Sequence, residues 1–319
     1  MTPEPPITSG YLLVDKPDGP SSHGAVQQVK RTLGLGGRRG TKAGHAGTLD
    51  PFATGLLIVL LGRATRLMPF VVGHDKRYLV DVRFGASSTT DDREGELTAS
   101  DDPRPSREQV AAALPALAAA TEQVPPAVSA IHVDGQRAYR RVRRGETIEV
   151  PPRPIRFQHV ELVDWRECGA GEIGPVAVLD VSCGTGTYMR ALARDLGDAV
   201  GCPAHCSDLR RLEVGEWSVD GAIAPTEVSR AHVRDARELL DDMPELQLDD
   251  EMLVDVSAGR RLAMPDELRD VPTVALLAPD GTLAAIAGPT SDGTLLQPRT
   301  VLVDPPGAPG VVRVRQSPA

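Results

Sequence analysis

The longest strongly apolar run in this chain, Leu56–Leu61, is only six residues long and is closed by Gly62. A membrane-spanning helix needs roughly 20 such residues, and a surface helix spaces its apolar positions by three and four. Six in a row therefore read as one strand buried on both faces. Tyr78–Phe84 then alternates: Tyr78, Val80, Val82 and Phe84 take one face, and Leu79, Asp81 and Arg83 the other. That is the period of a strand with one covered face. A doubly buried strand and a half-covered one call for a sheet with layers packed on it, and taken with the rest of the chain the expected fold class is α+β.

The elements around them follow from local chemistry. Residues 10–15 read as a short strand entering a Lys16–Pro20 turn. Ser21 or Ser22 caps a helix whose Ala25, Val26, Val29 and Leu33 share a face, ending at Gly34. Ser106 and Gln109 form a capping box ahead of a helix running to about Ala120. Strands are expected near 147–150, 155–165 and 176–183. The last leads through Gly184-Thr185-Gly186 to a helix with Met189, Leu192, Ala193, Leu196 and Val200 on its core face. A helical, acidic stretch, 226–242, precedes a change of texture, with a boundary near 240–250. Short segments at 252–256, 273–278, 283–287, 300–303 and 311–315, punctuated by Gly and Pro, predict a small β-barrel.

At 319 residues, two domains are expected. Four cysteines make no disulfide framework and read as reduced thiols. The N-terminal MTPEPPITSG has no basic or apolar signal region, so the expectation is a soluble cytoplasmic protein. Net charge is −9, which by itself argues against a nucleic-acid partner. Its distribution opens a second reading. Residues 1–83 hold eleven Lys/Arg against six Asp/Glu, residues 84–123 three against eight, residues 124–160 seven against three, and residues 220–319 nine against seventeen. Either the two basic regions bind a polyanion while the acidic parts solvate the protein, or the pattern is an accident of surface composition.

Chemistry concentrates in Gly44–Leu57 (GHAGTLDPFATGLL). Glycines at 44, 47 and 55 permit close backbone approach, and Pro51 holds Asp50 out of helical geometry. Ahead of it, residues 34–44 combine five glycines with Arg38, Arg39 and Lys42, without the Gly-Lys-Ser/Thr of a phosphate loop. Cys202, His205 and Cys206 are zinc-ligand types but lack a second pair, and read as buried thiols with a packed histidine. No Gly-x-Ser-x-Gly elbow is present for Ser/His/Asp hydrolysis.

The fourteen-residue string resembles the catalytic motif of the tRNA pseudouridine-55 synthases, the TruB family, with Asp50 at the place of the nucleophile. Further blocks follow in family order over roughly residues 10–215. They are Gly10–Pro17, which includes Lys16; Asp75-Lys76-Arg77-Tyr78; Gly184–Arg190; and Leu209-Arg210-Arg211-Leu212. The resemblance implies a pseudouridine synthase fold: a mixed, mostly antiparallel central sheet with flanking helices, plus a C-terminal PUA-like β-barrel. It implies a catalytic domain over 1–240 with a thumb-like insertion at about 124–152, and a PUA-like RNA-binding domain over 245–319.

The implied reaction is isomerisation of one T-loop uridine of tRNA, with base flipping and no cofactor or metal. Asp50 is the implied nucleophile, Arg190 its fork-shaped partner, and Tyr78 the face on which the base stacks, its phenol also a proton acceptor. Substrate contacts are expected from His45, Tyr188, Leu209 and Lys16, and from Arg141 and Arg144 among the arginines at 137, 140, 141, 143 and 144, the last set on phosphates. For Leu209 and Tyr188 ordinary core packing is an equal reading, and for the arginines a solvated helical face is a second one. Attack at C1′ or at C6 stays open from the residues, the family favouring C1′. The expected partner is the tRNA T-arm, bound by a monomer without a protein partner. Two other readings compete: a tRNA-binding and folding chaperone with isomerisation secondary, and a guide-RNA-dependent synthase.

Overall fold

The computed structural model describes residues 7–36, 40–128, 132–133, 136–137, 150–169, 171–240 and 243–304. The chain first forms β1 (Ser9–Lys16), α1 (Ser22–Thr32), β2 (Ala43–Ala46), β3 (Thr54–Gly62), α2 (Met68–Val72) and β4 (Lys76–Phe84). The hairpin β5 (Ala86–Ser88) and β6 (Leu97–Ala99) leads to α3 (Arg107–Ala118) and the short strands β7 (Glu122–Gln123), β8 (His132–Val133), β9 (Gln136–Arg137) and β10 (Arg153–Pro154). Then come β11 (Phe157–Arg166), β12 (Val176–Cys183), α4 (Met189–Val200), β13 (Ala204–Val214) and β14 (Trp217–Ser218).

An eight-stranded sheet runs in the order β1-β3-β13-β4-β12-β11, with β2 added to β3 and β14 to β13. Only β13 and β3 are parallel, pairing Arg210 with Thr54 and Arg211 with Gly55. The sheet is thus mixed and mostly antiparallel, as expected. The apolar run Leu56–Leu61 is fully buried because both faces of β3 are covered. On one, Leu57, Val59 and Leu61 meet Ala25, Val26 and Val29 of α1. On the other, Leu56, Ile58 and Leu60 meet Trp217, Leu239 and the C-terminal Ala275 and Ile286. Each such side chain contributes about 1.5–3 kcal/mol by leaving water. On β4 the alternation is realised: Tyr78, Val80, Val82 and Phe84 pack with Leu179 and Val181 of β12 under α3 and α4.

The C-terminal part differs from its expected outline. Five strands, β15 (Glu245–Gln247), β16 (Leu262–Ala263), β17 (Val274–Leu277), β18 (Leu283–Pro289) and β19 (Leu295–Val301), pair in the order β15-β17-β18-β19-β16 and leave an open half-barrel. The expected strand at 252–256 is instead part of a helix, α5 (Asp250–Ser257). Asp249 accepts the Met252 amide as its cap and Leu253 and Val256 are buried one turn apart, so capping overrides a chance apolar alternation. Of the stretch 226–242, the described residues 226–240 form two 3₁₀ turns, Arg230–His232 and Ala236–Leu240, rather than an α-helix. The strand expected at 300–303 lies earlier, as β19, while 147–149 and 311–315 fall outside the described residues.

Cys183, Cys202 and Cys206 are buried and Cys168 exposed, all unpaired. His205 lies on β13, not at a helix end, and its Nδ1 is 3.1 Å from the Ala86 carbonyl oxygen. Among the described residues no three His, Cys, Asp or Glu side chains are grouped to hold a metal ion, and no helix is long and apolar enough to cross a membrane.

Candidate active site

Asp50 stands on the loop that joins β2 to β3, and nearly every turn of that loop is fixed from outside. Gly47 and Gly55 bound it with φ of +96° and +99°, which side chains rarely adopt. The Ser22 hydroxyl at the start of α1 donates to the Leu49 carbonyl and accepts the Leu49 amide, both at 2.8 Å. Leu49, Phe52 and Ala53 anchor in the main core beside Tyr78 and Leu209. Asp50 itself stays accessible, with 32% of its side chain exposed.

Arg190, on the first turn of α4, has only 6% of its side chain exposed and grips Asp50 at two points. Its Nε lies 2.9 Å from Oδ2 and its Nη2 donates to Oδ1 at 3.2 Å. The same guanidinium donates to the carbonyls of Thr90 and Val128, each at 2.9 Å, and Nη1 lies 3.2 Å from Oδ2 of buried Asp92. Two carboxylates thus share one cation. Burial pushes the Asp50 carboxyl above the usual carboxylate range and Asp92 adds to the push, while Arg190 pulls it down. The result is a carboxylate more basic than an exposed aspartate.

Tyr78 lies on the buried face of β4, two residues from Lys76. Burial raises its phenol above the ordinary value, against a downward pull from Arg211, so the ring enters the site as a neutral π-face. This weakens the expectation of Tyr78 as proton acceptor and leaves stacking as its main capacity. Tyr188 is the half-buried N-cap residue of α4, its amide donating to the Gln123 side-chain oxygen at 2.9 Å. Burial raises its phenol above the ordinary value, against a downward pull from Arg153 and Arg190. Leu209 is buried in the cluster holding Tyr78, Leu49 and Phe52, which is the core packing the sequence offers as one of its two readings. His45 is half-buried on β2, kept neutral by burial and by Arg211, and its buried Nδ1 has no hydrogen-bond partner among the described residues.

Lys16 departs from expectation. Rather than facing substrate it is 0% exposed, and its ammonium donates to the carbonyls of Pro17, Pro51 and Ala53 at 2.7–2.9 Å. Burial lowers it to about 8. Its place is under the Asp50 loop, where it is the donor to the Pro17 and Ala53 carbonyls and joins the Gly19 amide on that of Pro51. Arg141 and Arg144, with Arg38, Arg39, Arg140 and Arg143, lie outside the described residues, and Arg137 is described only as part of β9.

Several residues of the site had no role in the sequence reading. Asp92 belongs to a stretch whose acidity suggested a solvated separator; the adjacent Thr89-Thr90-Asp91-Asp92, dense in cap and turn formers, was the available signal. Asp91 takes φ of +60° and pairs with Arg194, one turn beyond Arg190. Gln123 is a buried polar side chain that nothing in its local pattern marks as such, and Arg211, which stands in the Leu209–Leu212 block without a role of its own, is buried too.

Residues 30–189 match the TruB family pseudouridylate synthase N-terminal domain, and residues 190–253 the tRNA pseudouridylate synthase B C-terminal domain. The tRNA pseudouridine synthase B of Arthrobacter sp. (strain FB24) is 40% identical over 296 residues, covering 88% of this chain and 92% of the relative. That of Paenarthrobacter aurescens (strain TC1) is 40% identical over 317 residues, covering 94% and 96%. A chain of the archaeal box H/ACA sRNP Nop10-Cbf5 complex superposes with a TM-score of 0.64 at 21% identity, covering 93% of this chain and 87% of that one. A chain of an H/ACA RNP bound to a substrate RNA containing 2′-deoxyuridine gives 0.63 at 20% identity, covering 93% and 86%. These two establish the fold, including a C-terminal half-barrel in keeping with the expected PUA-like domain. On the extent of the sequence matches and the two family domains, the chain belongs to the TruB family of pseudouridylate synthases.

Proposed function

We propose that this chain isomerises one uridine of tRNA, position 55 in the T-loop, to pseudouridine, with Asp50 as nucleophile and no cofactor. The observation that carries the reading is the Asp50–Arg190 pair: an accessible carboxylate held at two points by a buried guanidinium, beside the neutral ring of Tyr78. In this reaction the C1′–N1 bond breaks with its electron pair leaving on uracil. The base then turns, a C1′–C5 bond forms, C5 loses its proton and N1 gains one, so the product is an isomer of the substrate.

The residues divide this work. A stacked loop base is first flipped out, at a cost of a few kcal/mol, and taken between Tyr78 and the wall made by Leu209 and Tyr188. Asp50 acts at C1′ while Arg190 fixes its direction. Its raised basicity also suits the same carboxylate, or a water beside it, to receive the C5 proton. His45, half-buried on β2, meets the RNA through the exposed part of its ring. Residues 1–240 carry the chemistry and residues 245–319 form a PUA-like RNA-binding domain. The T-arm phosphates meet the basic stretches, Arg141 and Arg144 among them, so affinity falls with salt. The protein works as a monomer in the cytoplasm.

The test is a tRNA transcript tritiated at uracil C5, because isomerisation must expel that hydrogen. Release by wild type alone, from the intact transcript and not from one lacking the T-loop uridine, is the expected result. No release by wild type, with salt-sensitive binding by both wild type and Asp50→Asn, would replace the synthase with an RNA-folding protein.

A further inference from the structure

Arg211 carries the largest fully buried side chain among the described residues and takes no part in the chemistry just described. Only 1% of it is exposed, so no substrate touches it. Its backbone acceptors are three carbonyl oxygens, and the titratable groups that face it are the Tyr78 phenol, Lys76 and His45, none of them a carboxylate. Nε donates to Leu56 at 2.7 Å, Nη2 to Gly47 at 3.1 Å and Nη1 to Thr48 at 3.4 Å. Gly47 and Thr48 precede Asp50 and Leu56 follows it, so one planar fork ties both ends of the loop together. The Arg211 backbone does the same from β13. It pairs in parallel with Gly55, and a Cβ at Gly55 would come within 2.2 Å of the Arg211 carbonyl oxygen. The middle of the loop is held separately, by Lys16 at Pro51 and Ala53 and by Ser22 at Leu49.

We propose that Arg211 is a positioning residue for Asp50: its guanidinium clamps the loop from Gly47 to Leu56 at both ends, so the alignment of the carboxylate with Arg190 depends on a side chain outside the reaction. An arginine is required because the acceptors diverge from one plane, which a lysine ammonium cannot reach together. Since the loop centre and its apolar anchors persist without it, losing the fork shifts the loop rather than unfolding it. A shift of 1 Å in a reacting group is enough for about a hundredfold loss of rate.

The inference rests on the synthase reading, and the experiment separates the two. Wild type, Arg211→Lys and Arg211→Met are compared by single-turnover tritium release, by equilibrium binding of the same tRNA, and by the pH dependence of the rate. The expected result for both variants is a rate lower by about a hundredfold, unchanged affinity, and an acid limb moved to higher pH, because a carboxylate displaced from Arg190 loses the pull that opposes burial. A merely structural role predicts weaker RNA binding in step with rate and an unmoved limb. Release by wild type with either folded variant matching it in rate, or with the limb unmoved, overturns the proposal and leaves the function standing. Failure of both variants to fold also overturns it, in favour of a purely architectural arginine. No release by wild type removes the function and the proposal together.

Discussion

Replacing Arg190 with lysine keeps the charge and removes the fork, so it isolates what geometry contributes. The guanidinium donates three hydrogen bonds, to Asp50 Oδ1 and to the carbonyls of Thr90 and Val128, and lies at ion-pair distance from Asp50 Oδ2 and from Asp92 through Nε and Nη1. A lysine ammonium presents its donors from a single atom and cannot reach acceptors served by two separate nitrogens, so at least one of these bonds is lost. A hydrogen bond to a charged group is worth about 1.5–3 kcal/mol. If that deficit falls on the orientation of Asp50 in the transition state, the single-turnover rate drops by about 10- to 100-fold. Tritium release under single-turnover conditions reads it directly, and tRNA binding should stay close to wild type because Arg190 is buried. A folded Arg190→Lys protein within about threefold of wild type would refute the reasoning, since it would mean that charge alone aligns the carboxylate.

Other outcomes follow from the same contacts. Because the site needs Asp50 ionised and burial lifts its carboxyl above the ordinary range, activity is lost as pH falls through that raised value. Asp92→Asn, which removes the repelling charge, should move this limb to lower pH and cut the rate by about 10- to 100-fold; a limb that moves upward would contradict the assignment. Lys16→Met strips the Pro17 and Ala53 carbonyls of this donor, while Pro51 keeps the Gly19 amide, and should cost at least about 2 kcal/mol in urea unfolding. A loss below about 1 kcal/mol would mean that the loop closes without the ammonium. Tyr78→Leu removes a stacking face worth about 1–3 kcal/mol, and the rate should fall by about 10- to 100-fold. Wild-type rates in that variant would exclude stacking at this position.

The sheet and the nucleophile were legible because each leaves a periodic or compositional trace. Leu56–Leu61 announces a strand buried twice over, Tyr78–Phe84 a strand with one wet face, and the Gly-flanked Asp50-Pro51 a loop that can approach a ligand. The buried ions left no such trace. The sequence makes Lys16 a substrate contact and Arg211 part of a motif block, but nothing local distinguishes a buried cation from an exposed one. Only three-dimensional placement shows that their partners are carbonyls, all but that of Pro17 lying 35 to 164 residues away. Asp92 was hidden in the same manner, inside a segment whose net charge suggested exposure. At 252–256 apolar residues fit both a helix and a strand, and the cap at Asp249, outside the segment itself, decides for the helix.

The sharing of Arg190 explains how a carboxylate can be fixed without being silenced. A buried aspartate paired alone with an arginine is a stable ion pair with lowered basicity, and a poor nucleophile for that reason. Here the guanidinium faces two carboxylates, so the trio carries a net negative charge. Asp92, with only 5% of its side chain exposed, is held in place, its Oδ1 accepting the Glu94 amide. Asp50, with 32% exposed, is the carboxylate open to a substrate. The arrangement therefore separates orientation, which Arg190 and the loop clamps supply, from reactivity, which Asp92 and burial preserve. On this account Asp92→Asn slows the reaction by over-stabilising Asp50, and the fall in its pKa and the fall in rate should appear together in one protein.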